Sequence, residues 1–236
     1  MRSKAHALYL SLLFARHPDW RNGVTLETLL SHDPAWPALL SRLEGSGTVW
    51  REPSERARLA TLQAIGVSTR STLGAIIYET GGISFRDGLI RHLGAAPTTS
   101  QRNIQTFARS ADLSGALVIG DDPYGGLYLL NGGALPGVSG NVVHVPSDTM
   151  IADDLGIGHT DFIEWCLTGE VNELYAPLEA VKRSHPPSNF DFTESLSIYP
   201  FLWTVEGRDP AQASTRVVPA WEVGSLTLAN MSTSDR

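Results

Sequence analysis

The stretch from Val118 to Gly133, VIGDDPYGGLYLLNGG, restricts the fold more than any other part of the chain. It holds two short apolar runs, Leu117 to Ile119 and Leu127 to Leu130, each too short for a helix. Between them Asp122-Pro123-Tyr124-Gly125 has the residues of a type I turn in order: Asp first, Pro second, Gly fourth. Asn131-Gly132-Gly133 is a further turn, and Val142 to Val145, stopped by Pro146, is a third run. Strands joined by turns this tight pair antiparallel, because a parallel pair needs a crossover of roughly a dozen residues. The segment therefore predicts a three-stranded antiparallel meander.

Helices are expected on both sides of it. In SHDPAWPALLSRLEG, Asp33 reads as an N-cap and Pro34 as the first helical residue, with Trp36, Leu39, Leu40 and Leu43 at helical spacing and Gly45 at the end. EPSERARLATLQAIGV repeats the pattern and stops at Gly66. In STLGAIIYETGGISFRDGLIRHLGA, the β-branched and aromatic runs Ile76 to Tyr78 and Ile83 to Phe85 predict a hairpin about Thr80-Gly81-Gly82. Asp87-Gly88 predicts another turn, and Leu89 to Leu93 a third short strand. Ile104 and Phe107 suggest a brief helix after a polar loop. HTDFIEWCLTGEV predicts a deeply packed helix capped by Thr160 and Gly169. SLSIYPFLWTVEG and TRVVPAWEVG predict a closing pair of edge strands, limited by Pro200 and Pro219. Helices flanking hairpin-connected strands make an α+β fold: an antiparallel sheet backed by helices. The expected organisation is an N-terminal helical extension over 1–23, one α+β domain over 24–224 and a polar tail over 225–236. The extension reads either as a short amphipathic helix or as a targeting segment, since Arg2 and Lys4 precede an apolar run.

Charge is unevenly placed. Residues 1–110 hold 13 Lys/Arg and 8 Asp/Glu, whereas residues 111–236 hold 5 and 17. No Lys or Arg occurs between Ser110 and Val181, a span with eleven acids. Such a region repels nucleic acid and anionic membranes and attracts cations or basic partners. Its acids face either water or the basic N-terminal half. The single cysteine, Cys166, excludes an internal disulfide framework and suits a reducing, cytoplasmic setting.

Few residues suggest chemistry. The glycine-rich turn lacks the lysine of a phosphate loop, and its two carboxylates would repel a phosphate. No G-x-S-x-G occurs, and Cys166, between Trp165 and Leu167, reads as a buried inert thiol. Asp121, Asp122, His144 and Asp148 crowd a short span and are the candidate metal ligands, although adjacent carboxylates on a strand point to opposite faces. No cofactor is implied.

Two blocks, STRSTLGAIIYETGGISFRDGLIRHLGA and the span from IGDDPYGGLYLL to HTDFIEWCLTGEVNELY, resemble an uncharacterised bacterial family catalogued as domain of unknown function family 2625. DPAWPALL near the start and YPFLWT…RVVPAWEV near the end resemble its pattern in the same order, so the similarity covers about residues 24–224. More loosely, residues 115–170, ending in TDFIEWCLTGE, are similar to the SUKH superfamily. That similarity implies a SUKH-like sheet backed by helices and an immunity-type role, the binding and neutralisation of a toxin. Two functional readings stand. One is a non-catalytic protein-binding module, with Asp121, Asp122, Asp148, Asp153 and Asp154 as acidic contacts to a basic protein such as a toxin, and Tyr124 as an aromatic anchor. The other is an enzyme of unassigned reaction using an Asp/His pocket, with or without a divalent ion. A homo-oligomer is a further option.

Overall fold

The computed structural model describes residues 25–44, 46, 49–96, 102–105, 115–168, 170–209 and 213–231. The expected N-terminal extension, the caps Gly45 and Gly169, Phe107 and the last five residues lie outside the described residues.

A short helix, α1 (Leu26–Leu29), and α2 (Trp36–Leu43) come first. The second starts two residues later than Asp33 and Pro34 suggest, with Ala35 at the N-cap and Pro37 in the first turn. Tertiary hydrogen bonds hold the preceding segment: Thr69 accepts the Ser31 N–H at Oγ1 (2.8 Å) and the Ala35 N–H at its carbonyl (2.9 Å). After β1 (Val49–Arg51) comes α3 (Glu55–Ile65), whose N-cap Ser54 accepts the Ala57 N–H. Gly66 closes that helix in the left-handed conformation, as expected.

Ile76 to Tyr78 is not a strand. It lies in α4 (Thr72–Glu79), capped by Ser71, whose hydroxyl accepts the Gly74 N–H at 3.0 Å. Leu73, Ile76, Ile77 and Thr80 recur at helical spacing and all are buried, so burial of one face outweighs the β-propensity of the isoleucines. The hairpin in this region is instead β2 (Gly82–Phe85) with β3 (Ile90–Leu93), turned at Arg86-Asp87-Gly88.

The expected meander is present as β4 (Ala116–Asp121), β5 (Leu127–Asn131) and β6 (Asn141–Val145), extended by β7 (Asp153–Gly158). Among the described residues, seven strands form one sheet in sequence order, with each consecutive pair antiparallel. β7 runs directly into α5 (His159–Thr168), so that helix starts one residue before the expected cap, Thr160. Its Phe162, Ile163 and Cys166 are buried, and Phe162 packs on Tyr128 of β5 with ring centroids 5.0 Å apart. Arg86, in the β2–β3 turn, donates to the carbonyls of Cys166 and Leu167, which are among the orphan acceptors of a helix C-terminus.

After α6 (Glu179–Ser184), the chain forms the expected closing pair, β8 (Glu194–Tyr199) with β9 (Ser214–Pro219), as a separate two-stranded sheet. The expected polar tail is helical through its first half: α7 spans Ala220–Asn230 and buries Ala220, Gly224 and Thr227. The fold is α+β, with antiparallel sheets backed by helices. No helix among the described residues is long and apolar enough to cross a membrane.

Candidate functional site

The Asp122 turn forms as its residues dictate. The Gly125 N–H reaches the Asp122 carbonyl at 3.4 Å, and Asp122 and Gly126 close the hairpin with a 3.0 Å backbone bond. The Asp122 carboxylate also folds over its own turn: Oδ1 accepts the N–H groups of Tyr124 (2.7 Å) and Gly126 (3.0 Å). Gly125 has φ +98, and a Cβ there would overlap Cγ1 of Val223 on α7. The turn is thus pressed against the C-terminal helix, and Thr227 fixes it by donating its hydroxyl to the Gly125 carbonyl at 2.6 Å.

The turn is not a surface feature. Asp121 (2% exposed), Asp122 (1%) and Tyr124 (2%) are all buried. The reason is Arg91, the cross-strand neighbour of Asp121 on β3. Its Nε donates to Asp121 Oδ1 at 2.9 Å. One Nη nitrogen reaches the Asp122 carbonyl (2.9 Å) and Ser195 Oγ (2.8 Å), and the other the carbonyls of Asp191 and Glu194. All five guanidinium donors are therefore used. Arg102 completes the triad with two bonds to the Asp121 carboxylate and stacks on Phe192, with its guanidinium carbon 4.4 Å from the ring centre. Two cations hold one buried carboxylate, and the same contacts tie the large sheet to β8.

Behind the turn lies a second polar chain. Tyr175 donates its hydroxyl to Asp122 Oδ2 at 3.1 Å, and Tyr175 and Tyr128 share a 2.7 Å bond. His144 stacks on its cross-strand partner Tyr128, with centroids 4.7 Å apart. Neither His144 ring nitrogen has a hydrogen-bond partner among the described residues. The position a Cβ would take on Gly126 lies against both Asp122 Oδ2 and His144 Nε2, so these two groups converge. Burial pushes the Asp122 carboxyl up to about 6, despite the N–H groups that hold its charged form. Burial pushes the His144 imidazole down to about 3. A second histidine pair, His92 and His159, meets Nε2 to Nε2 at 2.8 Å, and burial lowers His92 to about 4. A bond of that kind needs one nitrogen protonated and the other bare, which fits two neutral rings.

The expected site residues therefore separate. Asp121, Asp122 and Tyr124 are corrected from surface contacts to buried structure, and the Tyr124 hydroxyl donates to the His185 carbonyl at 2.8 Å. Asp154, in β7, is spent on the neighbouring β5–β6 connection and its own strand, accepting from Val138 N–H (2.7 Å), Asn141 Nδ2 and Gly156 N–H (2.9 Å). Asp153 is exposed and Asp148 half-buried, at the two ends of the β6–β7 connection. The metal set of Asp121, Asp122, His144 and Asp148 does not assemble, because Asp121 is taken by two arginines. Among the described residues no group of three or more His, Cys, Asp or Glu side chains is placed to hold a metal. Cys166 is buried as expected, and burial pushes its thiol well up.

The acidic surface that remains borders β7, the edge strand of the large sheet. Two exposed apolar side chains lie in the flanking connections: Ile151 (38% exposed), between Asp148 and Asp153, and Val138 (64%), in the β5–β6 connection, whose N–H donates to Asp154. Arg91 and Arg102 were missed as site residues; the sign available in the sequence was an arginine inside the apolar run LIRHLGA, which requires a buried counter-charge if the run is a core strand. Tyr128, Tyr175 and His159 left no such sign.

The family model described as protein of unknown function DUF2625 matches residues 26–223, a span holding both the buried cluster and the β7 edge. The putative uncharacterized protein YbfG of Escherichia coli K12 is 26% identical over 201 residues, covering 82% of this chain and 91% of that protein. An uncharacterized protein of Haemophilus influenzae is 30% identical over 191 residues, covering 73% of this chain and 82% of the relative. No solved structure gives a significant match. With its sequence matched from α1 into α7, the chain belongs to the DUF2625 family.

Proposed function

We propose that the protein is a non-catalytic protein-binding module that meets a basic partner along the β7 edge, in the manner of an immunity protein. The observation that carries this reading is the composition of that edge. Half-buried Asp148 and exposed Asp153 flank exposed Ile151 in the chain, and exposed Val138 is held to Asp154, at a strand that has no outer neighbour in the sheet among the described residues. Apolar side chains ringed by charge are the usual make-up of a contact surface, and an open strand edge adds backbone hydrogen bonds to a partner. Acids speed the capture of a basic partner and disfavour acidic ones. The similarity of residues 115–170 to SUKH proteins supplies the immunity-type role, by analogy of fold alone.

The test uses purified products of the genes adjacent to this one. A basic product should bind with an on-rate that falls as salt rises, and the double variant Asp148→Lys/Asp153→Lys should weaken binding at least tenfold with its thermal unfolding unchanged. Equal binding by the variant and the parent chain, or no binding by any adjacent product, would sink the reading.

A further inference from the structure

Two histidines from distant parts of the chain meet at one point of the fold. His92 lies in β3, and His159 is the first residue of α5, directly after β7. Their hydrogen bonds fix which nitrogens carry protons. His92 Nδ1 lies 2.7 Å from the Leu93 carbonyl, which only accepts, so Nδ1 holds the proton and Nε2 is bare. His159 Nε2, 2.8 Å from His92 Nε2, is then the donor. That leaves His159 Nδ1 bare; it is closed off from water and has no partner among the described residues. The bond between the rings exists only while His92 Nε2 carries no proton.

The junction around the pair is lightly held. From Asp153 to Asp161 no residue is fully buried, and Gly156 and Gly158 stand in the second half of β7. The first turn of α5 is tied to the rest of the fold by the His92 bond and by a 2.9 Å bond between the hydroxyls of Thr160 and Thr72. Segments with few buried contacts open locally before the whole domain does. The surroundings also offer no counter-charge to a cationic pair. The cross-strand neighbours of His92 are Ile83 and Gly120. Arg91 and Asp121 hold each other, Glu79 of α4 faces Arg58, Glu164 of α5 faces Arg42, and Arg86 donates to the end of α5. Asp154 is spent on Val138 and Asn141, and Asp153 and Asp161 are exposed. Burial keeps Tyr128 and Cys166, beneath and on α5, in their neutral forms.

From this geometry we propose that the His92–His159 bond is an acid-sensitive latch: proton uptake by both rings parts them and frees the β7–α5 junction while the rest of the sheet stays folded. One proton goes to His159 Nδ1, where no acceptor meets it. The other goes to His92 Nε2, where it confronts the N–H of His159. Desolvation opposes both steps in the closed state, lowering His92 to about 4 and His159 well below its ordinary value, so the protons are taken up as the junction opens. The latch does not rest on the proposed protein-binding role, because it is read on the chain alone.

The test is amide hydrogen exchange of the ¹⁵N-labelled full chain at pH 7, 6, 5 and 4, corrected for the intrinsic pH dependence of exchange. Two protons taken up on opening should lower the protection of the amides from Ile157 to Phe162 by about a hundredfold per pH unit between about pH 6 and pH 4. Amides of β4 and β5 should stay more strongly protected at every pH. His159→Gln keeps an N–H for His92 but does not titrate, so the slope at the junction should fall to about tenfold per unit. His144→Phe, which removes a buried histidine outside the pair, should leave that slope unchanged. In the parent chain at pH 7, imidazole ¹⁵N shifts should show the Nδ1–H form of His92 and the Nε2–H form of His159, a reading that needs no variant to fold. Junction amides that exchange only together with β4 and β5, a slope unmoved by His159→Gln or moved equally by His144→Phe, or the opposite ring forms would overturn the latch.

Discussion

At the scale of single residues, the buried triad shows how a charge that looks available in sequence is consumed by the fold. Asp121 is preceded by Gly120 and followed by a turn, and nothing within ten positions of it is basic. Its partners are 19 and 30 residues away, and only the β3–β4 register brings Arg91 alongside. Removing one member of a buried charge set costs far more than a surface pair is worth, because the remaining charges stay out of water. Asp121→Asn leaves two buried guanidiniums facing a neutral amide and should lower unfolding free energy by about 3–5 kcal/mol, read from the urea midpoint. Exposed Asp153→Asn, by contrast, should change it by less than about 0.5 kcal/mol. Equal effects at the two positions would contradict the burial described for Asp121.

At the scale of elements, strands are legible where turn chemistry frames them, and α3 is legible at its Gly66 end. The Asp122 hairpin, the Gly66 end of α3 and the β8–β9 pair formed as their local residues imply. Two elements were misread because propensity spoke against packing. In α4 the isoleucines suggested a strand, yet the spacing of Leu73, Ile76, Ile77 and Thr80 suited a buried helical face. In α7 the serines and threonines suggested a tail, yet Gly224 and Thr227 give that helix a flat side for docking on the Asp122 turn. Gly125 is where the two elements touch. Gly125→Ala combines a left-handed φ with a collision at Val223 and should cost about 2–4 kcal/mol. A double-mutant cycle with Val223→Ala should return the steric part and leave the backbone part. Strict additivity of the two substitutions would show that α7 does not press on the turn.

At the scale of the whole molecule, the buried titratable groups set the response to pH. His92 and His144 are lowered by burial to about 4 and about 3, and His159 is lowered as well, by burial and by the neighbouring His92. Between those values and the ordinary histidine value near 6.5 the unfolded chain binds protons that the native state refuses. Their contribution is therefore complete above about 6.5 and is lost as the pH falls. Asp122 acts in the opposite sense: raised to about 6, it keeps a proton in the native state that the unfolded chain has released above about 3.8, so it favours the fold on acidification. Three histidines against one aspartate leave a net loss of about two protons near pH 5, or about 2–3 kcal/mol per pH unit. Urea unfolding at pH 7, 6, 5 and 4 should show this slope, and His144→Phe, which keeps a ring on Tyr128, should reduce it by about one proton. A flat profile across that range would mean that the histidines are not buried neutral.

By itself the sequence determined the meander, the Gly66 end of α3 and the α+β class, because turns, caps and short apolar runs act within a few residues of chain. It also determined that the middle of the chain carries acid with no base nearby. What only the tertiary structure decided is which of those acids remain on the surface. Asp121 met two arginines, one of them brought by strand register, Asp122 bonded its own turn and Tyr175, and Asp154 bonded Val138 and Asn141 across from β7, whereas Asp153, Asp161, Glu173 and Glu179 stayed exposed and Asp148 half-buried. Pairing across a sheet joins residues far apart in the chain, and no local pattern records which partner a carboxylate will meet.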